Sequence, residues 1–214
     1  MREAVDKARQ AVLLWAIALG VLWVLWPPAL GLSPLWALVV VSVLVNVLQP
    51  AYALTARAEG REDRGTFVQI VGSVYATQVA ALLELVVRKP AALPFDAVAW
   101  AALATMVAGL ALRTWAVRTL GRCFTLEIRV EPGQAIVRDG PYRWIRHPSY
   151  AGAWLTVVAS CVLVESWIAA GLGAIVLAAG FARRIRYEER LLVERCPGYP
   201  AYAAGTGALL PRLW

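Results

Sequence analysis

Residues 11–32, AVLLWAIALGVLWVLWPPALGL, decide the fold class. The stretch carries no charged side chain. A bilayer-spanning helix needs about 20 mostly apolar residues, and this run supplies them. It is too long for the apolar core of a signal peptide, and no small-residue cleavage site follows it. It therefore reads as a retained membrane anchor, with Pro27 and Pro28 near its end.

Working outward, residues 34–54 give a second span rich in Val and Leu. Residues 67–87 give a third, with Gln69, Gln78 and Glu84 inside it. Residues 97–117 give a fourth, ending near Arg113 and Arg118. Residues 118–149 are polar, Arg-rich and broken by Gly and Pro. Residues 150–182 are apolar again, interrupted at Glu165-Ser166-Trp167. Each half of that run is about 15 residues, short of a span. A tight helical hairpin, tilted or partly re-entrant, fits better than two upright spans, and one long bent helix is the alternative. Residues 183–214 open as a charged helical stretch and close in Pro, Gly and Tyr. The expected architecture is an all-α integral membrane protein with about four full transmembrane helices and a C-terminal hairpin. The expected division is 1–117 for the N-terminal helices and 118–214 for a functional region built on the hairpin.

Composition agrees. The chain has 214 residues, of which 60% are hydrophobic and 16% charged, against roughly 25% charged in a globular chain. Ten Trp point the same way, since Trp favours membrane–water interfaces. A disordered chain, a soluble basic nucleic-acid module and a secreted disulfide scaffold are excluded. The net charge of +7 is carried almost wholly by Arg, only Lys7 and Lys89 being lysine. With a cytoplasmic N-terminus, all but two of the 21 basic residues fall on the cytoplasmic side; Arg88 and Lys89 are the exceptions. Both termini and the polar segments 118–149 and 183–214 are thus expected in the cytoplasm, in a bacterial-type inner membrane or an endomembrane.

Polar residues within the spans have simple readings. Glu84 lies four residues before Arg88, a pairing distance on a helix. Asn46, Gln49, Gln69 and Gln78 suit interhelical hydrogen bonds. A transporter would need ionisable groups facing a cavity, and no internal repeat of transporter type is evident. Three separated cysteines and one histidine leave no metal cluster to expect. No G-x-x-x-G stripe argues for an oligomeric state.

Two clusters carry chemistry. The first is residues 140–152, GPYRWIRHPSYAG, with the one histidine, His147. Pro148 pushes His147 away from helical geometry, and Ser149 is a candidate N-cap for the hairpin's first helix. A helix start there would suit a carboxylate or phosphate. An interfacial elbow, with aromatics anchoring and Arg touching lipid phosphate, reads equally well. The second cluster is residues 183–192, RRIRYEERLL. Arg184 and Glu188 are i,i+4 neighbours, as are Arg186 and Arg190. Such a run is either a solvated charged face or half of a site that sets Glu188 against a cation and an arginine against an anion.

Together the clusters resemble the isoprenylcysteine carboxyl methyltransferase family, which is itself similar to phospholipid N-methyltransferases. The resemblance rests on Gly140 and Tyr142, then Arg146-His147-Pro148-Ser149-Tyr150 and Gly152. It continues with Arg184, Glu188-Glu189 and Leu192, and with Tyr199 and Tyr202 in the tail. It covers roughly 120–205. Two departures stand out: Arg195-Cys196 occupies the place of a Phe-Gly pair, and residue 127 is Glu where some relatives carry Gln.

The resemblance implies a membrane enzyme that transfers a methyl group from S-adenosyl-L-methionine to a lipophilic acceptor in a cytoplasmic pocket. The favoured acceptor is an isoprenylcysteine-type carboxylate, and a phenolic lipid or an ethanolamine phospholipid is the alternative. No dinucleotide-binding glycine motif follows a strand, so a Rossmann cofactor fold is not expected. The implied cofactor residues are Gln134, Ala135, Ile136, Val137, Tyr142, His147, Pro148, Ser149, Tyr150 and Glu188. Arg184 is implied for acceptor binding, and His147, Arg184 and Glu188 form the expected catalytic set. Expected partners are the lipid-tailed substrate and membrane lipids, with no nucleic acid. A nicotinamide-dependent reductase of the sterol type and a non-enzymatic scaffold or transporter remain as rivals.

Overall fold

The computed structural model describes residues 2–49, 65–124 and 136–212. Among these the regular structure is helical, with no strand: α1 (Arg2–Leu25), α2 (Ser33–Leu48), α3 (Thr66–Arg88), α4 (Ala97–Leu120), α5 (Pro148–Leu163), α6 (Trp167–Arg195) and α7 (Tyr199–Gly205). The chain is an all-α integral membrane protein. Helices α1, α3, α4 and α6 are long and apolar enough to cross a bilayer. Their outward faces carry Val24, Val87, Ile168 and Ile175, all exposed, as helices facing hydrocarbon should.

The four long helices are not the first four apolar runs. The span expected at 34–54 is a helix only over Ser33–Leu48, 16 residues; residues 50–54 lie outside the described residues. The run at 11–32 stops being α-helical at Leu25. Pro27 and Pro28 lack the N–H groups that would continue it, and they start a 3-10 turn over Pro27–Gly31. The apolar run 150–182 is a hairpin, as expected, but its arms are unequal. The first, α5, has 16 residues, whereas α6 runs unbroken through the charged stretch for 29. Arg and Glu are good helix formers, and nothing stops the helix until Cys196, ahead of Pro197.

Helix α3 lies antiparallel along α6 and touches it over its whole length. At one end Thr66 accepts from Arg184 and Gln69 from Arg183. Midway, Gly173 leaves room for Thr77; a Cβ there would strike the Thr77 side chain. At the other end Glu84 accepts from the backbone N–H of Ile168 (3.2 Å) and Ala169 (2.9 Å). Arg88 reaches Glu165 at 3.2 Å and also donates to its carbonyl. The expected Glu84–Arg88 pair is therefore replaced by two contacts to the hairpin turn. The first-turn N–H groups of α6 have no intrahelical partner, and a carboxylate there also meets the positive end of the helix dipole. Glu165 turns the chain with φ 53°, and Ser166 Oγ anchors the turn by donating to the Ala81 carbonyl at 2.7 Å.

Two other polar expectations hold and one does not. Gln78 donates to Ser160 at 2.7 Å and Gln49 to Thr114 at 3.0 Å, both between helices. Asn46 instead bonds the Ser42 carbonyl within its own helix. Helix α4 crosses α5 at Gly109 and Gly152. A Cβ on Gly152 would lie 2.5 Å from the Gly109 carbonyl oxygen and 2.8 Å from Arg113 N. Small residues let the two backbones touch. The main core, with Leu35, Leu38, Leu85, Met106 and Leu163, fills the bundle toward the hairpin turn. The polar clusters gather at the opposite end.

Candidate active site

The site is assembled where the start of α5 meets the charged end of α6. Pro148 is the first residue of α5, a position where its missing N–H and fixed φ cost nothing. His147, with φ −124° and ψ 56°, is therefore the N-cap residue. Ser149, expected in that role, is instead inside the first turn, and its carbonyl accepts from Arg113 Nη1 at 3.0 Å.

This start points three side chains at α6. His147 is buried, and its Nε2 lies 3.1 Å from Glu189 Oε1. Its Nδ1 lies 3.8 Å from Glu188 Oε2. Arg146 Nε donates to the same Glu189 oxygen at 2.7 Å. One turn on, the Tyr150 hydroxyl donates to Glu188 Oε2 at 2.7 Å and accepts from Arg184 Nε at 2.8 Å. Arg184 is 4% exposed and also donates to Thr66 at 3.2 Å. The Tyr150 ring is sandwiched, with its centroid 5.4 Å from His147 and 5.3 Å from Phe181. Near-parallel stacking at this distance adds fixed geometry to the area buried.

The C-terminal segment straps the outside. The backbone N–H groups of Arg146 and His147 donate to Gly207 and Ala208, at 2.8 and 3.0 Å. Arg146 also donates to the carbonyls of Ala203 (3.0 Å) and Thr206. Tyr202 donates to the Tyr142 carbonyl at 2.8 Å. Cys196, Tyr199 and Tyr202 form a small core with Ile136, Leu191 and Leu192. Burial, and next the Glu188 carboxylate, raise the Tyr142 phenol. Burial and then the Glu189 carboxylate raise Tyr199, while burial pushes Tyr202 up to about 12. All three stay protonated at neutral pH, so none is a base.

Of the residues singled out from sequence, His147, Tyr150, Arg184 and Glu188 come together in one cluster. Pro148 and Ser149 form the first turn beside it. Tyr142 sits in the short 3-10 turn Gly140–Arg143, buried, its hydroxyl toward the Ala116 carbonyl at 3.5 Å. Ile136 packs on the tail core, and Val137 precedes that turn. Gln134 and Ala135 lie outside the described residues. Gly140 has φ +56°, and a Cβ there would meet Thr119 and Trp115 within 3.0 Å. Three participants escaped the sequence reading: Thr66, Phe181 and Glu189 as the joint partner of Arg146 and His147. Thr66 and Phe181 carry no motif signal. Glu189 did, as the second acid of the Glu-Glu pair. Among the described residues, no group of three or more His, Cys, Asp or Glu is placed to hold a metal ion.

Comparison with known proteins locates this cluster. The isoprenylcysteine carboxyl methyltransferase family profile matches residues 102–194, from α4 to the end of α6. An uncharacterized Bacillus subtilis protein, YpbQ, is 32% identical over 96 residues, 44% of this chain and 57% of the relative. Protein-S-isoprenylcysteine O-methyltransferase B of Arabidopsis thaliana is 39% identical over 94 residues, 43% of this chain and 48% of the relative. A probable protein-S-isoprenylcysteine O-methyltransferase of Oryza sativa subsp. indica is 29% identical over 147 residues, 66% of this chain and 77% of the relative. The match spans about half the length of the first two. Residues 102–194, which carry both halves of the cluster, are thus similar to the isoprenylcysteine carboxyl methyltransferase family.

Proposed function

We propose that the protein is a membrane methyltransferase that uses S-adenosyl-L-methionine to methylate the carboxylate of a lipid-tailed, isoprenylcysteine-type acceptor. The observation that carries this reading is the convergence of the Arg146–Tyr150 elbow on Glu188 and Glu189. It is supported by the family match over the same residues.

The donor set fits such a cofactor. The ligand has a sulfonium and an ammonium, a carboxylate, and a flat base. Glu188 and Glu189 keep 29% and 27% of their side chains exposed, so two carboxylates stay accessible to a cation. One Glu188 oxygen has no partner among the described residues. Arg146 and His147 offer cationic and N–H donors to an anion, and Tyr142, Tyr150 and the half-exposed Trp144 offer aromatic faces. Residues 134–137 are proposed to complete the cofactor contacts. When bound, the cofactor supplies an electrophilic methyl group.

The protein's own part is alignment and exclusion of water. An acceptor carboxylate is already ionised at neutral pH, so this reading needs no general base. Arg184, fixed by Tyr150 and Thr66, is assigned to orienting that carboxylate. Region 118–214 is taken as the catalytic part, with 1–117 as the membrane scaffold. The site, both termini and the charged end of α6 are assigned to the cytoplasm, with Arg88, Lys89 and the hairpin turn at the far side.

Calorimetric titration of S-adenosylhomocysteine into the detergent-purified protein and its His147→Ala variant tests the cofactor. Labelled methyl transfer to an N-acetylated isoprenylcysteine tests the acceptor. Saturable binding that the variant loses, with transfer, is expected. No binding to intact, folded protein would overturn the reading. Binding without transfer would move the acceptor to a phenolic or amine lipid.

A further inference from the structure

The charged end of α6 has a second face that the site does not use. Arg183, Arg186, Tyr187 and Arg190 line an open recess of about 270 Å³. Their spacing of three and four residues puts them in one stripe. At about 100° per residue, that stripe is turned well over 90° from Arg184 and Glu188. The guanidinium groups of Arg183 and Arg190 sit over the Tyr187 ring, 5.8 and 6.0 Å from its centroid. Arg186 Nε is held by the Ala182 carbonyl at 3.2 Å, which leaves its outer nitrogens for another partner. Arg186 and Arg190 are exposed, and neither pairs with a carboxylate of a described residue. The two acids within the stretch are turned the other way, to Tyr150, His147 and Arg146.

The depth of the recess is also informative. From Trp167 to Ala182, α6 is apolar and rises about 24 Å. A hydrocarbon core is about 30 Å thick. Arg183 to Arg190 cover the next 10 Å or so, which straddles the edge of that core and lies within side-chain reach of the headgroup phosphates. Arginine forks match phosphate oxygens in a bidentate way. We propose that this recess is a binding site for the headgroup of an anionic phospholipid, with Arg186 and Arg190 as phosphate ligands and Tyr187 as the platform that holds Arg190 in place. The assignment does not depend on the methyl-transfer reading, because none of these side chains belongs to that cluster.

Native mass spectrometry of the purified full chain, in micelles containing equal phosphatidylglycerol and phosphatidylcholine, tests it. The native protein is expected to retain phosphatidylglycerol preferentially. Each basic group at an anionic surface is worth about fivefold in binding, so Arg186→Gln/Arg190→Gln should weaken that preference by about 25-fold. The Lys double variant keeps the charge but not the fork, so it should retain part of the preference, and it controls for folding. Equal retention of both lipids by the native protein would overturn the proposal. So would an equal loss from the distant Arg9→Gln, which would mean net charge alone. Loss of bound lipid to millimolar inorganic phosphate at constant ionic strength would assign the recess to a free anion instead.

Discussion

Tyr150 on α5 donates its hydroxyl to Glu188 on α6 at 2.7 Å while accepting from Arg184 at 2.8 Å. Arg184 and Glu188 are one helical turn apart and could have paired directly. Placing a hydroxyl between them instead makes the relation of the two charged groups depend on how α5 docks against α6. The ring is fixed in turn by His147 and Phe181. The site is thus a property of the hairpin rather than of either helix.

Tyr150→Phe should therefore separate packing from chemistry. The ring stack survives, while two hydrogen bonds to charged groups are lost. Such bonds are worth about 1.5–3 kcal/mol each when buried, and water at half-exposed Glu188 offsets part of this. The expected result is a folded protein less stable by about 1–2 kcal/mol in thermal unfolding, with methyl transfer reduced at least about tenfold. Unchanged transfer would remove the bridge from the mechanism.

Glu189→Gln should loosen the strap. Glu189 is the one carboxylate shared by Arg146 and His147, and Arg146 in turn holds Ala203 and Thr206. Arg146 is largely buried, so losing its counter-charge matters more than losing an exposed pair, although the 27% exposure of Glu189 moderates it. Hydrogen exchange at the Arg146 and His147 amides, which bond Gly207 and Ala208, should quicken about tenfold, or about 1.4 kcal/mol. Unaltered protection there would show that the strap is held by its backbone bonds alone.

Gly152→Ala tests the α4–α5 crossing. The new methyl would meet the Gly109 carbonyl and the Arg113 backbone. Since both neighbours are backbone, the helices must part, at a cost of about 1–3 kcal/mol by the usual measure of overpacking. The shift also carries Ser149 away from Arg113. Gly171→Ala, on α6 with nothing within 4 Å of its Cβ position, should be neutral or slightly stabilising. Equal thermal midpoints for the two variants would contradict the close crossing.

The fold class was legible because a bilayer asks for apolar length, which composition reports directly. Which runs become full spans was less so. Apolar counting ends α6 at Ala182, since it is blind to a helix that continues in Arg and Glu. The Arg-His-Pro-Ser-Tyr and Glu-Glu elements were visible as motifs, and His147, Tyr150, Arg184 and Glu188 do come together. Their pairing was not visible, because Tyr150 and Glu189 act across α5 and α6 and no local spacing encodes that docking. Ser149 looked like an N-cap from its residue type, yet Pro148 starts the helix and puts the cap two residues earlier, at His147. Thr66 and Phe181 enter only through tertiary packing.

The end of α3 gives the sharpest case of local spacing misleading. Glu84 and Arg88 have ideal i,i+4 spacing, yet Glu84 caps α6 and Arg88 holds Glu165. If the cap dominates, Glu84→Ala should cost about 1–2 kcal/mol in thermal unfolding, typical for a lost N-cap. Glu84→Gln keeps an oxygen for the Ile168 and Ala169 N–H groups and should cost less. Arg88→Glu should then destabilise through the turn, by opposing Glu165, while leaving the α6 cap intact. Hydrogen exchange at the Ile168 and Ala169 amides distinguishes the two roles: it should rise in Glu84→Ala and stay level in Arg88→Ala. Equal rises in both variants would mean that Arg88 positions the Glu84 carboxylate after all.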